Sequence, residues 1–274
     1  MSTERFAGLR LTPAKRISAM RKICQRWSLA IVTLLASASL ALAQNAARPE
    51  ADKPAAASAL PDLSGVWTQY PRISARSGVL GGFVFTQEEP PMTPWAEAKY
   101  KAAKAAHVGG YEGQSDDTTL TCAPPGVPRI YLFNFPMEIM QIPGRVILFY
   151  EFGHFVRQVF TDGRGHAKDA APTWMGDSIG KWEADTLVID TVGFNDKTWI
   201  DQVGHPHSDA LHLVERIRRS APDMLQIDIT FDDPKAYTKS WTARKAFKLR
   251  PDWNIAEYIC EDNFFNKDIQ EISK

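Results

Sequence analysis

Leu225-Gln226-Ile227-Asp228-Ile229-Thr230-Phe231-Asp232 alternates apolar and polar residues without a break. Successive side chains of a strand point to opposite faces, so Leu225, Ile227, Ile229 and Phe231 make an apolar face and their neighbours a polar one, as a half-buried antiparallel strand requires. Working outward, the segments 137–142, 145–152, 155–161, 178–183, 186–192, 210–219 and 241–249 are short and rich in β-branched or aromatic residues. Pro143-Gly144, Phe152-Gly153-His154, Asp162-Gly163, Ala184-Asp185 and Pro222-Asp223 separate several of them as turns. An opening strand at 63–70 and another at 79–85 bring the expected total to about nine or ten. The fold class is therefore mainly β: an antiparallel up-and-down meander closed into a barrel, which removes exposed edges and at about this strand number can enclose one small ligand. A two-sheet sandwich is the alternative. One short helix is expected near 94–106, where Thr93 caps, Pro94 takes the first turn, Glu97 suits the positive end and Gly109-Gly110 follow.

The amino terminus reads as an export signal. Residues 28–42 are apolar or small, Arg21, Lys22 and Arg26 precede them, and Ala41-Leu42-Ala43 offers a cleavage site, so 1–43 is a signal peptide. Met20 is the alternative start. The run of about 15 residues is shorter than the roughly 20 that span a bilayer, and no stable membrane insertion is expected. Residues 44–61, rich in Ala and Pro, form a disordered linker, and 62–274 a single domain. Cleavage takes seven of the 32 basic residues and one of the 32 acids, leaving 25 and 31, a net charge of −6. An acidic surface without a basic stripe excludes nucleic acid as the expected partner. Cleavage also removes Cys24, and Cys122 and Cys260 remain as a disulfide pair in an oxidising periplasmic or secreted setting.

Asp62-Leu63-Ser64-Gly65-Val66-Trp67 resembles the Gly-x-Trp opening strand of lipocalin-like (calycin-like) barrels, in which the Trp closes one end. Cys122-Ala-Pro-Pro-Gly-Val-Pro-Arg129, Thr161-Asp-Gly-Arg164 with His166, and Gly176-Asp-Ser-Ile-Gly-Lys-Trp-Glu183 are more specific. With the run from Asp185 to Asp196 and His207-Ser-Asp-Ala-Leu-His212, they resemble a family of exported, largely uncharacterised bacterial proteins over nearly the whole mature chain. The resemblance implies export and a barrel; it brings no activity with it.

Candidate chemistry centres on polar residues in unusual places. His205-Pro206-His207 lies in a long polar loop with Asp201, Asp209 and His212 nearby. Two His at i and i+2 of extended chain share a side, so a divalent metal at His205/His207 is an option, although no cofactor is expected. His154, His205, His207 and His212 are candidate general acids or bases at a barrel mouth. Glu215 shares a face with Leu211, Leu213 and Ile217, and Arg157 one with Phe155 and Val159. Unpaired charges on such faces are costly, so they predict either a buried Arg157–carboxylate pair or groups aimed into a ligand cavity. Trp174, Trp182, Tyr150 and Asp177 are candidate ligand contacts.

There is no Gly-x-Gly-x-x-Gly loop or phosphate loop, which sets aside nucleotide-dependent chemistry; Gly176-Asp-Ser-Ile-Gly180 has the Gly-x-Ser-x-Gly spacing but runs into the expected strand 178–183 and not into the strand-to-helix elbow of serine hydrolases. The expected function is small-molecule handling: a cofactor-independent lyase, hydratase or isomerase acting on a small apolar or aromatic compound. A lipocalin-like carrier and a structural envelope protein with a filled barrel are the alternatives. Alkylating the mature protein before and after reduction, with mass readout, tests the disulfide: two added labels are expected only after reduction.

Overall fold

The computed structural model describes residues 60–71, 84–107 and 117–260. The expected signal peptide, the expected linker through Ala59 and most of the strand expected at 79–85 lie outside these residues; Val84 and Phe85 are described and belong to no strand. Nine strands close into a barrel in chain order. They are β1 (Gly65–Tyr70), β2 (Met137–Ile142), β3 (Arg145–Tyr150), β4 (Val156–Phe160), β5 (Asp177–Glu183), β6 (Thr186–Val192), β7 (His212–Ala221), β8 (Met224–Asp232) and β9 (Trp241–Leu249).

Eight neighbouring pairs are antiparallel, but β4 and β5 run parallel through Val159–Ser178 and Phe160–Ile179. This amends the purely antiparallel meander. Each antiparallel neighbour reverses direction, and a closed ring must contain an even number of reversals to return to its start. Nine strands therefore cannot alternate throughout. The connection 161–176 meets the cost, because a parallel pair needs a crossover of about a dozen residues or more. Gly180 lets the two strands approach: a Cβ there would lie 2.8 Å from Val159 Cγ1 and 3.3 Å from Leu187 Cδ1.

The topology sorts the connections by length. The tight turns at 143–144, 184–185 and 222–223 all fall at one end, and the segments 151–155, 193–211 and 233–240, with the described residues between β1 and β2, belong to connections at the other. At the tight-turn end Trp67 is fully buried, its Nε1 donates to the Leu63 carbonyl (2.9 Å), and the Arg219 guanidinium lies 5.2 Å from its ring centre. A cleft of about 310 Å³ opens beside it, lined by Leu60, Gln141, Ile142, Arg145, Thr161 and Trp182 among others.

The long connections cover the opposite end. Helix α1 (Pro94–His107) starts where Thr93 Oγ1 accepts from the Ala96 amide at 3.3 Å, a satisfied N-cap. Ala96, Tyr100 and Ala103, at i, i+4 and i+7, form its buried face. Gly204 sits against that face, where a Cβ would come 2.7 Å from Ala103 Cβ and where φ is +100°, a backbone that favours glycine. A buried bidentate pair from Arg129 to Asp117 (2.8 and 2.6 Å) holds the segment before β2, and burial, which opposes charge on Asp117, is outweighed by Arg129, so its carboxyl titrates below the usual range. Cys122 and Cys260 form the disulfide, 138 residues apart in the chain, tying that segment to the end of the described chain.

Candidate functional site

Alternation on β4 and β7 turns Arg157 and Glu215 inward, where they meet. All five guanidinium N–H groups are used: Nε donates to Ser178 Oγ (3.1 Å), Nη1 to Tyr131 Oη (2.9 Å) and Glu215 Oε1 (3.0 Å), and Nη2 to Thr191 Oγ1 (2.8 Å) and Glu215 Oε2. Tyr131 reaches in from the covering segment and donates to Glu215 Oε1 at 2.8 Å. Arg157 and Glu215 are at most 2% exposed. Burial disfavours the charged guanidinium, but Glu215 outweighs it and holds the group charged. This pair is saturated, so it is a strut across the barrel; no N–H is left to orient a ligand.

Other interior polar atoms are not saturated. The Tyr150 hydroxyl and Gln69 Oε1 are buried and have no hydrogen-bond partner. Burial is the main reason the Tyr150 hydroxyl is pushed up to about 12. Lys245, on β9, is 9% exposed and also faces inward.

His205 and His207 occupy the covering loop with contrasting surroundings. His205 lies between two acids, Nδ1 on Asp201 Oδ2 (2.5 Å) and Nε2 on Glu89 Oε2 (2.9 Å), with its ring stacked on Tyr100 at 4.1 Å. Asp201 also accepts from the amides of Val203, Gly204 and His205, which fixes the loop. Burial lowers the proton affinity of His205, yet the two carboxylates outweigh it and the net shift is upward. His207 is pushed downward by burial. Its Nδ1 faces the Ser208 carbonyl at 3.0 Å, and a carbonyl only accepts, so Nδ1 carries the hydrogen and Nε2 of the neutral ring is a lone pair. That Nε2 is buried and has no partner. Ser208 anchors the turn through its amide and hydroxyl on Asp233 (2.6 and 2.8 Å).

The remaining candidates lie apart. His212 faces outward, its Nε2 3.0 Å from Asp190 Oδ1; the same oxygen meets His166 Nε2 at 3.0 Å, and His166 Nδ1 meets Asp177 Oδ2 at 3.0 Å. This exterior cluster pins the crossover to β5, β6 and β7. His154 sits on the β3–β4 connection with Nε2 2.9 Å from the Ala256 carbonyl. Tyr150 is interior, Trp182 lines the cleft at the tight-turn end, Asp177 is outside with His166, and Trp174 is half-buried beside Gly126. The four candidate ligand contacts are thus not gathered into one site. No group of three or more His, Cys, Asp or Glu among the described residues is arranged to hold a metal ion, and at His205/His207 the nitrogens other than His207 Nε2 already face acceptors.

Tyr131, Lys245, His166 and Asp190 escaped the sequence reading as site residues. Lys245 was accessible to it, because alternation along 241–249 places Lys245 with Ala243 and Phe247 on the inward face. Tyr131 carried no signal, since it comes from a 3₁₀ turn at Arg129–Leu132 with no strand periodicity. Compared with known proteins, the chain matches no family model and no curated protein.

Removing one member of the buried pair strands the other, so Glu215→Gln should cost about 3–5 kcal/mol in urea denaturation, and Arg157→Met with Glu215→Leu together should recover much of it. The two histidines should act oppositely with pH. His205 has its folded value raised, so its stabilisation is full below about pH 6.5 and fades as pH rises through that raised value; His205→Gln should therefore destabilise more at pH 5.5 than at pH 8.5. His207 has its folded value lowered, so wild type loses stability as pH falls below about 6.5, and His207→Gln should flatten that acid limb.

Proposed function

We propose that this chain is an exported small-molecule-handling barrel whose chemistry is proton transfer: a cofactor-independent lyase, hydratase or isomerase that takes a small apolar or aromatic compound at its covered end. The observation that carries the reading is His207 Nε2, a buried imidazole lone pair with no partner, in a ring whose tautomer is set by the Ser208 carbonyl. A general base must be neutral before it acts, and burial keeps His207 so. Once it has taken a proton, Asp233 and Asp196 lie where their charge favours the imidazolium. Saturated His205 and Arg157 then serve as supports, His205 for the loop and Arg157 for the barrel. At 3% exposure His207 meets a substrate only when the covering segments part.

Export is supported by the Cys122–Cys260 disulfide, and no helix among the described residues is long and apolar enough to cross a membrane. A carrier is the second reading, resting on the closed barrel and on the apolar side chains, Leu148, Leu187, Ile189, Ile227 and Ile229 among them, that face its interior.

Hydrogen–deuterium exchange separates the two even while the substrate is unidentified. Pools of small aromatic and carbonyl compounds are incubated with the protein in heavy water, and NMR follows loss of carbon-bound protons. Wild type should catalyse exchange in at least one compound, and His207→Gln should lose about 10²–10⁴-fold of that rate while still binding it. A compound bound by wild type with no exchange leaves the carrier reading in place and sinks the enzymatic one.

A further inference from the structure

Lys245 is the interior charge that the barrel does not neutralise. Arg157 and Glu215 satisfy each other, and Glu215 is wholly spent on Arg157 and Tyr131. Lys245 makes no ion pair among the described residues. Its Nζ donates once, to the Val84 carbonyl at 2.7 Å, which leaves two of its three N–H positions unused. Around it are the Phe85 ring, 5.3 Å from Nζ to the centroid, and Ile227, directly opposite on β8. Phe85 packs edge-on against Phe231, and Phe231 stacks on Trp241, whose Nε1 is another buried group without a partner. An amine with spare valence thus stands against an aromatic wall.

We propose that Lys245 is an imine-forming residue, and that the ligand of this barrel is a small aldehyde or ketone with an aromatic or apolar body. The Nζ lone pair adds to the carbonyl carbon, the carbinolamine expels water, and a C=N bond to Lys245 replaces the C=O bond; no oxidant or reductant is consumed. The step needs a neutral amine. Desolvation lowers the Lys245 pKa to about 8, with Asp201 the charged group that partly opposes the shift, so a usable fraction is neutral where an ordinary lysine is almost wholly protonated. The aromatic wall would take the ring of the ligand. The inference rests on the ligand-handling reading above and names its substrate class.

Trapping tests it on the wild-type mature protein. Benzaldehyde is added with cyanoborohydride, which reduces an imine to a stable secondary amine, and peptide mass spectrometry locates the adduct. Modification of Lys245 at least about tenfold above the mean of the other lysines is expected, lost in Lys245→Met and Lys245→Arg variants whose near-ultraviolet circular dichroism matches wild type. Labelling spread over exposed lysines with Lys245 unmodified overturns the proposal. If trapping fails while the exchange of carbon-bound protons persists, only the imine is lost; if both fail, the proton-transfer reading falls with it.

Discussion

An arginine and a glutamate can be buried in the middle of a β-barrel only if each satisfies the other, and that demand organises the interior of this protein. Their attraction at low dielectric offsets two desolvation costs only when every remaining donor and acceptor is also filled. Ser178, Thr191 and Tyr131 fill them, drawing on β5, β6 and the segment before β2. The pair therefore links four elements of the wall to the cover. Tyr131 is the connecting piece, since its hydroxyl accepts from Arg157 and donates to Glu215.

The two ends of the barrel differ because their connections differ. Two-residue turns leave the Trp67 end little material beyond the strands themselves, and it is closed by an indole and a guanidinium. The other end receives the long connections between antiparallel strands, and with them the helix, the disulfide and the histidine loop. Buried acids hold that loop: Asp201 gathers three amides and His205, while Asp233 gathers Ser208 and the amides of Lys235 and Ala236. Beside these acids lie buried polar atoms without partners. His207 Nε2 and Trp241 Nε1 are two of them, at the covered end, and buried polar atoms left without partners call for a reason.

Much of the fold was legible in the chain. Alternation along 225–232, with β-branched and aromatic runs bounded by turn residues elsewhere, placed all nine strands to within about two residues, and alternation turned Arg157 and Glu215 toward apolar neighbours, which made their pairing one of two foreseeable outcomes. The parallel β4–β5 pair was not legible, because local patterning reports which way side chains face and is silent on which strand lies alongside. The candidate site was legible only by residue type. His205 and His207 are two positions apart in one motif, yet one is held between carboxylates and the other has a bare nitrogen. That difference comes from Asp201 within the loop and from Glu89, Tyr100 and Asp233, which are brought in from distant segments.

What the sequence determined by itself is what depends on neighbours along the chain: strand positions, the Thr93 cap and the tight turns. What only the tertiary structure decided is which polar groups are spent and which remain free. Arg157 and Lys245 present the same sequence signal, a cation among inward apolar residues, but one finds a glutamate, a tyrosine and two hydroxyls and the other a single carbonyl. The reason is physical: a buried charge is stabilised by partners within a few ångströms, and in a closed barrel most of those partners come from other strands or the cover, at separations no local pattern encodes.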